Sequence, residues 1–207
     1  MIAVIVGASP DVWLPSKLEG ALFIGVDRGA LVLINEGFKV DVAIGDFDSV
    51  SDSEFALIEK HVDKIISLPR DKDMTDTEAA IEYVIGQGDF DIRLFGTLGG
   101  RLDHEFASTV LLLRYAKRGI SIDMVNSGNC VKVVACGDHE IVTTHGYVSF
   151  FALGGLVSNL KLVGFKYNLQ GYNLESDDPL CVSNEIVSES VKISFDSGYL
   201  LIIESSD

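Results

Sequence analysis

The chain has 207 residues, 47% of them hydrophobic, and a formal charge of −15 from 16 basic and 31 acidic side chains. That length can bury a sizeable core as one large domain or two small ones, and the apolar content excludes a disordered chain. The acidic excess argues against DNA or RNA as a partner, because such binding rests on Lys and Arg neutralising phosphates.

The first residues, Met1-Ile2-Ala3-Val4-Ile5-Val6-Gly7, are apolar with no basic leader, and they read as an opening strand. Further β-rich runs at 22–26, 42–44, 64–68 and 92–95 alternate with helical patterns. Ser51 with Glu54, and Thr75 with Glu78, have the spacing of capping boxes at two helix starts. Leu102, Phe106, Val110 and Leu113 keep an apolar stripe at helical spacing, and Gly119 after Lys117 and Arg118 is the predicted C-cap. Strand-helix alternation of this kind implies a mostly parallel sheet covered on both faces.

After about Ile120 the pattern changes. Runs at 131–135, 140–143, 147–153, 190–195 and 199–203 read as strands without long helices between them, separated by Gly- and Asn-rich turns. That predicts an antiparallel sandwich or barrel. The expected fold class is an α/β N-terminal domain with a mostly parallel sheet, then an all-β sandwich-like C-terminal domain. The boundary falls near residue 125, giving residues 1–125 and 126–207. No apolar run approaches the ~18 residues of a membrane helix. Cys130, Cys136 and Cys181 make an odd count without C-x-x-C spacing. They read as reduced thiols buried in strands, and a cytoplasmic protein is expected.

Candidate chemistry collects behind the strands of the first part. Asp27 follows the second run. Asp46 and Asp48 follow the third, in Gly45-Asp46-Phe47-Asp48-Ser49. Asp71, Asp73 and Asp76 follow the fourth, in Asp71-Lys72-Asp73-Met74-Thr75-Asp76. In an open parallel sheet, ligands bind beyond the carboxyl ends of the strands. Clustered carboxylates repel one another unless a cation sits between them, and oxygen-only ligands suit a hard ion such as Mg²⁺. Mg²⁺ keeps positions for water and substrate phosphates, which points to phosphate chemistry.

The fifth run leads into Gly96-Thr97-Leu98-Gly99-Gly100-Arg101, with Asp103 and His104 beginning a helix. Glycines let backbone N–H groups approach an anion, and Arg101 adds a forked cation. Asp103 and His104 could hold metal-bound water, a ribose hydroxyl or Arg101 itself. Lys72 is a second candidate phosphate cation. His61, His139 and His145 lack ligand spacing and read as structural. Trp13 is open to two readings, ligand stacking or core packing.

Taken together, Val26-Asp27-Arg28-Gly29-Ala30, the two Asp-rich loops and Gly99-Gly100-Arg101-Leu102-Asp103-His104 resemble the thiamine pyrophosphokinase family in order and spacing. Leu160-Lys161-Leu162-Val163-Gly164-Phe165-Lys166-Tyr167, Ser183-Asn184-Glu185 and Gly198-Tyr199-Leu200-Leu201-Ile202 extend the resemblance to the tail. Arg28 departs from the Gly of many members.

The resemblance implies transfer of the β,γ-diphosphate of ATP onto the hydroxyethyl oxygen of thiamine, giving thiamine diphosphate and AMP. It implies Mg²⁺ as cofactor, ATP and thiamine as substrates, and a homodimer with active sites at the interface. Asp46, Asp48, Asp71, Asp73 and Asp76 become magnesium and catalytic carboxylates, with Asp71 or Asp73 accepting the alcohol proton. Asp27, Lys72, Thr75, Gly99, Gly100, Arg101, Asp103 and His104 form the nucleotide-side set. Ser183 and Asn184 hold thiamine. Two other readings stay open: a metal-dependent phosphohydrolase, since Asp46-x-Asp48 superficially matches an aspartyl nucleophile pair, and a non-enzymatic nucleotide or metal sensor.

Overall fold

In β1 (Ile2–Val6) every residue after the first is buried, as expected of an aliphatic run covered on both faces. The computed structural model describes residues 1–10, 12–15 and 18–207. With β1 run β2 (Leu22–Val26), β3 (Val40–Gly45), β4 (Val62–Ser67) and β5 (Asp91–Phe95), paired in parallel in the order β5-β1-β2-β3-β4. The helices between them are α1 (Gly29–Asn35), α2 (Asp52–His61) and α3 (Asp76–Gln87), and α4 (Leu102–Ala116) follows β5. Contacts divide the chain into one unit of Met1–Ser108 with Met124–Asn126, and another of Thr109–Asp123 with Ser127–Asp207.

The helix signals read from sequence are local, and they appear where expected. Ser51 caps α2 with the reciprocal Glu54 bond in place. Thr75 Oγ1 accepts the Glu78 N–H at 3.1 Å ahead of α3. Gly119 takes φ +76, and its N–H reaches Ala116 O while that of Ile120 reaches Tyr115 O, closing α4. The α4 stripe behaves otherwise. Leu102, Phe106 and Val110 are 79%, 66% and 46% exposed, while Leu111, Leu112 and Tyr115 are buried. This helix is apolar on two faces, and periodicity alone does not say which one meets the core.

In the second unit, β7 (Asn129–Glu140), after β6 (Ile122–Val125), pairs antiparallel with the last strand, β11 (Lys192–Ser205). β11 also pairs with β8 (Tyr147–Ala152) and β9 (Val157–Val163), and β9 pairs with β10 (Leu169–Leu174). The register of β11 shifts between Phe195 and Tyr199. Before the shift its partner opposite β7 is chiefly β9, and after it β8. A strand that changes partner through a bulge is how two layers share one strand. Phe150 and Phe165 meet edge to face at 5.4 Å in the enclosed core. The α/β class followed by a β-rich, sandwich-like part is therefore the observed architecture.

Several boundaries differ from the expectation. The runs expected at 190–195 and 199–203 merge into one bulged strand that begins at Lys192, and residues 141–143 are not in a strand. β9 and β10 carry polar residues such as Asn159, Gln170 and Asn173, which hid them from a search for apolar runs. All three cysteines are free, but only Cys181 is buried and it sits in a turn; Cys136 is exposed.

Candidate active site

The loop from β3 to α2 is built around Phe47. Its backbone has φ +54, costly for a bulky side chain. The ring is only 8% exposed and packs edge-on to Phe55 at 5.2 Å. Burying that ring holds the turn, so Asp46 and Asp48 leave it on the polar side. The Asp48 N–H donates to Asp46 Oδ1 at 3.1 Å. That bond first, with Lys72 nearby, holds the Asp46 carboxyl below its usual range against the effect of burial.

The turn from β2 to α1 grips this loop at two points. Asp27 Oδ1 accepts the Phe47 N–H at 3.1 Å. Arg28 donates to Ser49 O at 2.9 Å and to both oxygens of Glu54, at 2.6 and 3.1 Å. Gly45 makes the Asp27 contact possible, since a Cβ there would stand 1.9 Å from Asp27 Oδ1. Burial, reinforced by the charges of Asp76, Asp46 and Asp48, pushes the Asp27 carboxyl up to about 6, despite the Phe47 N–H.

Asp27, Asp46 and Asp76 each offer a carboxylate oxygen, and the three oxygens lie within 4.8 Å of one another. The Lys72 ammonium stands 3.5 Å from Asp46 Oδ2 and 3.1 Å from Asp76 Oδ1. These carboxylates outweigh the opposing effect of burial and raise the pKa of Lys72. Asp76 Oδ1 is buried with no well-aligned hydrogen bond. Converging acidic oxygens with no His or Cys among them fit a divalent cation with oxygen ligands. Asp48, Asp71 and Asp73 are exposed and lie outside this set.

A hollow of about 790 Å³ opens along the same strand ends. Asp27, Thr75, Asp76, Gly99, Gly100, Arg101 and His104 line it, whereas Asp46, Lys72 and Asp103 do not. Arg101 donates to both carboxylate oxygens of Asp103, at 3.1 and 2.6 Å. Asp103 thus takes the last of its three sequence-level options. Gly99 N–H is held by Glu105 Oε2 at 3.3 Å. Trp13, 43% exposed, leans on Phe95 with ring centroids 6.3 Å apart.

In the second unit, Asn184 is 3% exposed, and both the oxygen and the nitrogen of its amide are engaged. Oδ1 accepts from Tyr167 N–H and Glu185 N–H, each at 3.0 Å, and Nδ2 donates to Tyr167 O at 2.8 Å. Asn184 also lines a hollow of about 320 Å³ with Tyr167, Leu180 and Val182. Ser183 is exposed, with φ +56, and its N–H donates to Ser149 Oγ at 2.9 Å.

Sequence reasoning passes over Gly7, Ala8, Ser9 and Pro10, all of which line the larger hollow. They stand at the end of β1, where the strand-end rule applies as it does to the later strands. Thr97 lies within the glycine-rich loop already singled out after β5, and it lines the hollow as well.

A parallel sheet with acidic and glycine-rich strand ends, continued by a β-rich unit, is an architecture shared with solved pyrophosphokinases. A family model described as "Thiamin pyrophosphokinase, catalytic domain" matches residues 17–124, and one described as "Thiamin pyrophosphokinase, vitamin B1 binding domain" matches residues 138–200. The curated thiamine pyrophosphokinase of Bacillus subtilis is 32% identical over 191 residues, 91% of this chain and 89% of the relative. A crystal structure of the Bacillus subtilis enzyme superposes with a TM-score of 0.92 at 30% identity, covering all of both chains. One from Geobacillus thermodenitrificans gives 0.89 at 36% identity, covering 100% of this chain and 98% of that one. The chain belongs to the thiamine pyrophosphokinase family.

Proposed function

We propose that this chain is a thiamine diphosphokinase, moving the pyrophosphoryl group of ATP onto the thiamine hydroxyl and releasing AMP. One observation carries the reading within the matched catalytic region: acidic oxygens from three strand-end segments converge beside a hollow that glycines and Arg101 also line. Residues 1–125 form the ATP- and metal-binding part and residues 126–207 the thiamine-binding part.

Asp46 and Asp76, with Asp27 in reach of both, would supply the converging carboxylates for Mg²⁺, and Asp48, Asp71 and Asp73, which stand outside that cluster, the further acidic groups that the family resemblance implies. When bound, Mg²⁺ supplies charge neutralisation and Lewis acidity at the polyphosphate oxygens. Lys72, Arg101 and the Gly99-Gly100 backbone position the phosphates, with Thr75, Asp103 and His104 on the same side. Asp71 or Asp73 accepts the alcohol proton as the new bond to the β-phosphorus forms and AMP leaves. Ser183 and Asn184 hold thiamine, Ser183 through its exposed side chain and Asn184 by fixing the Tyr167 loop. The working enzyme is a cytoplasmic homodimer with sites at the interface. Among the described residues, no helix is long and apolar enough to cross a membrane.

Product analysis with ATP, Mg²⁺ and thiamine tests this. AMP together with a diphosphorylated vitamin is the expected result. Thiamine-independent release of phosphate would favour the phosphohydrolase, and no thiamine-dependent AMP would favour a sensor. Asp46→Asn and Asp73→Asn should each lower turnover by roughly a hundredfold or more; wild-type turnover in both at saturating Mg²⁺ would defeat the metal assignment.

A further inference from the structure

Three side-chain oxygens among the described residues are buried without a well-aligned hydrogen bond: Ser9 Oγ, Thr97 Oγ1 and Asp76 Oδ1, the last of which keeps the Lys72 ammonium at 3.1 Å. All three belong to residues lining the larger hollow. Asp76 is already placed with the carboxylate cluster, and the two hydroxyls are not. Unpaired buried polar groups are rare because each destabilises the free protein, and their presence asks for a reason.

The backbone around them is tightly fixed. Gly7 and Gly96 end β1 and β5 in mutual contact: a Cβ on Gly7 would lie 2.6 Å from Gly96 O, and one on Gly96 would lie 2.4 Å from Gly7 O. Gly96 also needs φ +64, which side chains other than Gly seldom adopt. The Gly7 N–H donates to Phe95 O at 2.8 Å and the Ser9 N–H to Gly96 O at 3.0 Å. A Cβ on Gly100 would lie 3.4 Å from Ser9 Cβ. Two interlocked strand ends thus carry both hydroxyls on a fixed backbone, which leaves rotation of the side chains themselves as the only local adjustment.

We propose that Ser9 and Thr97 are a hydroxyl pair that turns from these buried positions to donate to phosphate oxygens of the nucleotide, an inference that rests on the site reading given above. Gly99, Gly100 and Arg101 line the same hollow, and backbone N–H groups and a guanidinium are donors. A ligand matching a row of donors is rich in acceptors and bears negative charge, which describes a polyphosphate. The carboxylates lie at the ends of β2 and β3 and the start of α3, so cation and hydroxyls address different parts of the phosphate chain.

The test uses the full chain without thiamine, titrated calorimetrically with Mg²⁺-ATP and, separately, with inorganic tripolyphosphate. Ser9→Ala and Thr97→Val should each weaken both ligands by roughly tenfold, the loss of one hydrogen bond to a charged group. Thr97→Ser should restore most of the Thr97→Val loss. Melting temperatures of the free variants should stay level or rise, because a buried, unpaired hydroxyl has been removed. A purely structural role predicts the opposite sign. Affinities within about twofold of wild type, weaker ATP binding with tripolyphosphate unchanged, or melting temperatures that fall with affinity would each overturn the pairing. A wild-type protein that binds neither ligand would overturn it together with the site reading. Wild-type binding without thiamine diphosphate formation would defeat the activity and leave this pairing standing.

Discussion

Phe47 and Arg28 decide where the acidic loop stands, and neither is acidic. Phe47 anchors the loop by burial, while Arg28 ties Ser49 O and Glu54 from the neighbouring turn. A residue that orients metal ligands from behind commonly changes metal affinity by tenfold or more when lost. Arg28→Ala should therefore weaken Mn²⁺ binding by roughly tenfold in a spin-resonance titration, with little change in melting temperature, because the side chain is 44% exposed. Unchanged Mn²⁺ affinity would show that the β2–α1 turn does not set the loop. Gly45→Ala should be harsher, since its methyl would collide with the Asp27 carboxylate. The Asp residues themselves were legible in the sequence, but the gripping role of Arg28 was not: nothing in the local order of residues puts it 2.9 Å from Ser49 O.

Among elements, α2 carries a pH-dependent lock. Glu54 Oε2 accepts from the Ser51 N–H at 2.9 Å and the Ser51 hydroxyl at 2.8 Å. Those bonds first, then Arg28, lower the Glu54 carboxyl to about 2 from 4.5. A depressed carboxylate stabilises the fold above its unfolded pKa, and that contribution fades as pH falls from 4.5 toward 2. Glu54→Gln keeps a residue able to complete the capping box but removes the titration. Melts between roughly pH 6 and pH 3 should therefore fall more steeply for wild type than for Glu54→Gln; parallel curves would refute the lock. Ser51→Ala should cost about 1 kcal/mol at neutral pH by the same measurement. Capping signals were readable because they span four residues. The fused β11 was not, because a bulge looks like a turn until the partner strands are known.

At the scale of the whole molecule, the exposed apolar face of α4 matters most. Leu102 and Phe106 are largely uncovered, directly after Arg101 at the hollow. A second copy covering that face would border the site, consistent with the proposed homodimer. Sedimentation should show a dimer, and Phe106→Asp should weaken it by about 2 kcal/mol or more while leaving the monomer fold intact. An undiminished dimer would place the interface elsewhere.

Local composition by itself determined the strand-helix alternation, the caps, the change to a β-rich second part and the acidic strand ends, because each depends on residues a few positions apart. Only the tertiary structure decided which of those groups meet. Asp27, Asp46 and Asp76 come from segments distant in sequence, and the order β2-β3-β4 with the start of α3 brings their oxygens within 4.8 Å. Asp71 and Asp73, indistinguishable from them on paper, stay exposed. The same holds for Ser9 and Thr97, whose strands are neighbours only because β1 pairs with β5. Spacing along a chain sets conformation, whereas proximity across a sheet is set by which strands pair.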